Sequence, residues 1–156
     1  MKKDLTTDKD GTFSDGTAGV ESVVWTVEAP VTRAYGIPKG AVVRAVLKDA
    51  TPTDLPDGSI LRIYATSPDG NNKKIILEKR YGAFRNANQY NKLEQITVDD
   101  PFIIPPAHKL IATVNSSSAL KASNSSIEVV GVDEINMAVA SEEVKKAIET
   151  FAKLLA

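Results

Sequence analysis

Cysteine is absent from all 156 residues, which rules out disulfides and thiolate metal sites. Histidine occurs once, at His108, so a two-histidine metal site is excluded and any Ser–His nucleophile would depend on that one imidazole. It follows Pro105-Pro106-Ala107, the grammar of a solvated turn before a strand. An excess of either charge is missing too: 19 basic and 20 acidic side chains leave a net charge of −1. Such a chain has no basic footprint for nucleic acid or an anionic membrane. The lysines after Met1 are not followed by an apolar segment, and no long apolar run occurs anywhere, so neither a signal peptide nor a transmembrane helix is expected. HExxH, GxSxG, a phosphate-cradling glycine loop and a dinucleotide fingerprint are all lacking. Together these absences predict a soluble protein made in a cytoplasm, not an enzyme, with no cofactor and no metal.

What is present is the vocabulary of β-structure. Ile37-Pro38-Lys39-Gly40, Leu55-Pro56-Asp57-Gly58 and Ser67-Pro68-Asp69-Gly70 each place proline two residues before glycine, which predicts type I turns with proline at the first central position and glycine at the exit. Fifteen Val and twelve Ile against ten Leu favour a pleated surface, where β-branched side chains pack well. Period-two alternation predicts strands over 21–29, 41–47, 60–66, 74–81, 93–98, 102–104, 109–115 and 127–132. In the first of these, Val23, Trp25 and Val27 are expected to share one face, with Trp25 in the core. The fold expected is all-β: an antiparallel β-sandwich of jelly-roll or immunoglobulin-like type over residues 21–136.

Both ends differ from that body. Residues 1–20 carry three Lys, four Asp and few apolar groups, so they are expected to form a mobile arm. At the other end Ser141 is an N-cap, Glu142 and Glu143 fill the first turn, and Lys153 lies in the last, which predicts one helix over 141–155. Val144, Ala147, Ile148, Phe151 and Leu155 form a single apolar stripe on it. That stripe either caps the sandwich or, with Phe13 of the arm, offers contacts for assembly.

Chemistry-bearing residues are sparse. Asp57, Asp99 and Asp100 sit at strand ends, where paired acids serve glycoside hydrolases, but acids beside proline are also ordinary turn formers. Asp69-Gly70-Asn71-Asn72 offers oxygen ligands without the spaced acids of a complete calcium loop. The segment from Tyr81 to Asn91 reads as an amide-rich loop between aromatics. Tyr81, Phe84, Asn86, Asn88, Tyr90 and Asn91 are its candidate ligand or partner contacts, through stacking and amide hydrogen bonds to a sugar or receptor.

From Phe102 to Val132, an Ile-Pro-Pro-Ala-His-Lys-Leu turn leads into a strand, then a Ser/Asn-rich crossing, then a final strand rich in valine. This stretch resembles the closing part of small β-sandwich proteins of virus and phage particles. The resemblance implies a virion location and a structural role as capsid, minor capsid or head-decoration subunit. It implies partners that are protein, either further copies in a homo-oligomer or other capsid subunits. The residue-level alternative is a carbohydrate- or receptor-binding module using the Tyr81–Asn91 loop.

Overall fold

A computed structural model describes residues 1–81 and 94–156; of Glu94 it describes the backbone alone. Eleven strands are described: Lys2–Thr6 (β1), Thr12–Phe13 (β2), Glu21–Glu28 (β3), Arg33–Ile37 (β4), Val42–Val46 (β5) and Ile60–Thr66 (β6) come first. Lys73–Arg80 (β7), Glu94–Thr97 (β8), Phe102–Ile104 (β9), Lys109–Asn115 (β10) and Ser126–Asn136 (β11) follow, and Glu142–Leu154 forms the helix α1. All pairings are antiparallel and fall into two sheets, β8-β5-β11-β4-β9 with β1 also on β11, and β2-β3-β10-β6-β7.

The pairing registers reduce these strands to eight rows. β5 and β4 pair with successive parts of β11, and β8 and β9 pair with β5 and β4 in turn. Between them Gly40 N–H donates to the Val98 carbonyl at 2.9 Å, which keeps the interrupted rows aligned. β1 shares Val129 and Glu128 with β5 and Asp133 with β4, so it must lie on the opposite side of β11 from both. One sheet is then β1, β11, β4/β5, β9/β8; the other is β3, β10, β6, β7, widened by the short β2. Numbered along the chain, rows 1-8-3-6 face rows 2-7-4-5, the double Greek key of a jelly roll.

The core lies between two inward rows. Across the first sheet run Leu5, Val129, Val43 and Ile96; across the second run Phe13, Trp25, Ala112, Ile63 and Leu77. Leu5 and Trp25 are wholly buried, at 0% exposure each. At roughly 25 cal/mol per Å² of apolar surface, a buried residue of this size stabilises the fold by about 2–3 kcal/mol.

Residues 1–20 are therefore not a mobile arm, and this corrects the sequence expectation. β1 supplies the first row of one sheet, and β2 pairs Phe13 with Trp25 in the other. The turn between them is tied closely: Trp25 Nε1 donates to the Asp10 carbonyl at 2.8 Å, and Thr6 N–H donates to the Asp10 carboxylate at 3.0 Å. Gly11 has φ +72°, and a Cβ there would lie 2.0 Å from the Thr26 carbonyl oxygen, so β2 reaches β3 through a residue with no side chain. Composition misled because this edge row needs a single large apolar residue, Leu5, and its other positions are polar.

Two smaller expectations also change. A bulge between Ala112 and Thr113 breaks the alternation of β3, so Val24 joins Trp25 inside while Val23 turns outward, 48% exposed. In two of the proline–glycine turns, Ala41 N–H donates to Pro38 and Ser59 N–H to Pro56. Proline thus opens the turn and Gly40 or Gly58 takes the positive-φ third position.

Because β1 is part of the sandwich, Leu5→Ala should lower unfolding stability by about 2–4 kcal/mol in urea titration. An unchanged midpoint would show the segment to be detached.

Candidate assembly surfaces

The C-terminal helix begins where the residues dictate. Ser141 Oγ accepts a hydrogen bond from Val144 N–H at 3.2 Å, and Glu142 and Glu143 lie at the positive end of the helix dipole. Its apolar stripe turns toward its own chain: the Phe151 ring meets Phe102 of β9 with centroids 4.5 Å apart, and Ile148 and Leu155 are buried. Val144 is half-buried, and Phe13 is half-buried against the core. Four of the five apolar residues expected to mark assembly contacts (Phe13, Ile148, Phe151 and Leu155) are thus engaged within the fold.

Tyr81 is likewise no ligand platform. It is 1% exposed, and its hydroxyl accepts the Leu47 N–H at 3.2 Å. Phe84, Asn86, Asn88, Tyr90 and Asn91 fall outside the described residues. Asp57, Asp99 and Asp100 are exposed. Asp69 is occupied by its own turn, accepting Ser67 Oγ at 2.5 Å and Asn71 N–H at 2.9 Å. Those bonds, the serine's first, hold its carboxyl below the usual aspartate range. His108 is half-buried, with Nδ1 3.0 Å from the Pro106 carbonyl oxygen. Among the described residues no group of three potential metal ligands converges, and no helix is long and apolar enough to cross a membrane.

The N-terminal segment is fastened a second time beside an open groove of about 870 Å³ that Phe13 helps to line. There Asp15 accepts the Ala122 N–H at 2.9 Å and Lys121 Nζ at 3.3 Å. The Ala122 hydrogen bond, then that of Lys121, lowers the Asp15 carboxyl. These polar groups staple residues 14–16 to the connection between β10 and β11.

A cluster that alternation alone did not single out lies on the outer face of the second sheet. Arg62 of β6 donates from Nε to Glu78 of β7 at 2.7 Å and from its terminal nitrogen to Glu21 of β3. Tyr64 donates its hydroxyl to Glu21 at 2.8 Å, and Lys73 Nζ stands 5.1 Å from the Tyr64 ring centre. Partial burial pushes the Glu21 carboxyl up, but the Tyr64 and Arg62 hydrogen bonds with the charges of Arg62 and Lys73 outweigh it, and the net shift is downward. Burial and then the Glu21 bond raise the Tyr64 phenol, and the Glu78 hydrogen bond heads the causes that raise Arg62. The arrangement orders a flat surface and leaves no nucleophile or open cleft. The signal in the sequence was the residue set opposite Leu61 and Ile63, namely Arg62 and Tyr64, on a strand whose two neighbours carry Glu21 and Glu78.

No protein-family model and no curated protein sequence matches the chain. Among solved structures it is similar to VP17, a capsid protein of bacteriophage P23-77, at 10% identity and TM-score 0.57, over 86% of this chain and 95% of that one. It is equally similar to a chain of the VP16–VP17 complex, formed by the two major capsid proteins of the same phage, at 9% identity and TM-score 0.56, over 86% and 99%. The likeness is one of fold. A jelly roll of a type found in a phage shell accounts for nearly the whole chain.

The lowered carboxyls set the acid limb of stability. Asp15, Asp69 and Glu21 are more acidic folded than unfolded, so their stabilisation is present above the unfolded values near about 4 and is lost as pH falls through the folded ones. Urea midpoints should therefore drop between about pH 5 and pH 3, and Asp15→Asn should shallow that drop. A flat profile would contradict the hydrogen-bonded carboxyls.

Proposed function

We propose that this chain is a structural subunit of a virus particle, joining others of its kind or a companion capsid protein by the outer surfaces of a jelly-roll body. The observation that carries the reading is the match of fold over nearly full length to phage capsid proteins at TM-score 0.57. The character of the molecule supports it. Its buried residues serve packing, acids such as Asp15, Glu21, Asp69 and Glu78 are taken up in turns and ion pairs, and its sheet edges carry devices that resist uncontrolled pairing. Among the described residues β7 ends its sheet and bears Lys73, Lys74, Glu78, Lys79 and Arg80, and β1 bears Lys2, Lys3 and Asp4. Assembly then proceeds through chosen faces and loops. The helix and the first twenty residues, folded onto the body, shape those faces and do not reach out as straps.

The carbohydrate-module alternative has lost Tyr81 to the core and gains no support from the described residues. Purified chain, alone or mixed with the other proteins of its source particle, is expected to form closed shells or sheets with a regular lattice in negative-stain electron microscopy. Antibody labelling of native particles should decorate them at repeating positions. A chain absent from every particle fraction would overturn the reading.

A further inference from the structure

The outer face of the second sheet carries a charge pattern that fits its own copy. Pairing registers arrange its outward residues in four rows. Glu28, Lys109, Thr66 and Lys73 form the first, and Thr26, Ile111, Tyr64 and Ile75 the second. Val23, Thr113, Arg62 and Glu78 form the third, and Glu21, Asn115, Ile60 and Arg80 the fourth. The β3 side is acidic at both ends, through Glu21 and Glu28, whereas the β7 side is basic at both ends, through Lys73 and Arg80. Between these ends, Val23 and Ile75 are exposed apolar residues, at 48% and 47%, Arg62 and Glu78 form an ion pair, and Thr66, Ile111 and Thr113 are buried beneath their neighbours. Glu28, Lys73 and Arg80 are exposed, while Glu21, already bonded to Arg62 and Tyr64, keeps 28% of its side chain exposed.

We infer that this face is an isologous contact between two copies of the chain, related by a two-fold axis parallel to the strands. Such an axis lays β3 of one copy over β7 of the other and keeps each row opposite itself. Glu28 then meets Lys73, and Glu21 meets Arg80, with each pair occurring twice. Tyr64 of each copy lies over the β10 row of the other at Ile111, which is only 6% exposed. A two-fold perpendicular to the strands does the opposite: it sets Glu28 over Glu21 and Lys73 over Arg80, like charge on like. The pattern therefore selects one symmetry. The intrachain network holds Arg62, Glu78 and Glu21 in fixed positions, which lowers the entropy those three side chains lose on docking.

The area sets the strength. Four strands spaced about 4.8 Å apart and seven residues rising about 3.3 Å each give roughly 450 Å² of flat face per copy. That lies at the weak end of specific interfaces, suited to a lattice in which many contacts act together. The inference supplies a partner for the shell reading and draws its biological meaning from it.

Sedimentation of the full chain up to about 1 mM in low salt should show a reversible dimer that weakens as salt screens the paired charges. Glu28→Lys and Lys73→Glu should each weaken it by about tenfold or more. The doubly swapped chain, Glu28→Lys with Lys73→Glu, should recover to within about threefold, because opposite charges again face each other. Circular dichroism melts confirm that each variant is folded. A strict monomer, a dimer indifferent to reversal, or a double swap no better than its parents would overturn the proposal. Particles that form normally from Lys73→Glu chains would also refute this face while leaving the shell reading intact. A dimer that behaves as stated in a chain never found in particles would uphold the face and sink the shell reading.

Discussion

Everything in this fold depends on the contact between Trp25 and the turn that precedes β2. The indole fills the space between the sheets, and its N–H reaches out to the Asp10 carbonyl. One side chain therefore satisfies two requirements: it supplies the largest buried apolar body of the core and it fixes the path of the first eleven residues. With that path fixed, Leu5 lands opposite Val129 and the first sheet gains its outermost row. Without it, β11 would lose a partner along half its length, and a long hydrophobic strand would be left with a bare edge.

The sequence made some of this legible and hid the rest for identifiable reasons. β6, β9 and β10 appear at the bounds their alternation suggests. β6 and β9 largely bury every second residue, and β10, buried on both faces, still spaces Leu110, Ala112 and Val114 two apart and ends at polar Lys109 and Asn115. β4 escaped notice since Ala34, Tyr35, Gly36 and Ile37 are buried on both faces, which erases the period, and Gly36 reads as a breaker. β1 escaped for the converse reason: it is polar everywhere except Leu5. The bulge that turns Val23 outward is set by pairing with β10, which local sequence does not encode. Helix α1 was the most readable element because its cap, its terminal charges and its stripe all agree.

Function was legible to a lesser degree. Missing chemistry excluded common catalytic arrangements, and the turn grammar from Phe102 to Val132 pointed toward particle proteins whose fold the structure shares. The contact residues were not legible. Ile148, Phe151 and Leu155 form an apolar stripe that attracts the eye, yet a stripe of that kind serves the interior of its own chain as readily as a neighbour. The outer face of β3, β10, β6 and β7 emerges as a candidate only after registers are known, because its charge order is a property of four strands read crosswise.

Native-state amide hydrogen exchange across β1 tests the central claim most directly. If the first strand is a full row of the sheet, its β11-bonded amides should exchange only through large-scale opening, with protection close to that of β11 itself. Exchange at the rate of an unstructured peptide, with β11 still protected, would mean that the sandwich is complete without its first strand and that the jelly-roll description is wrong.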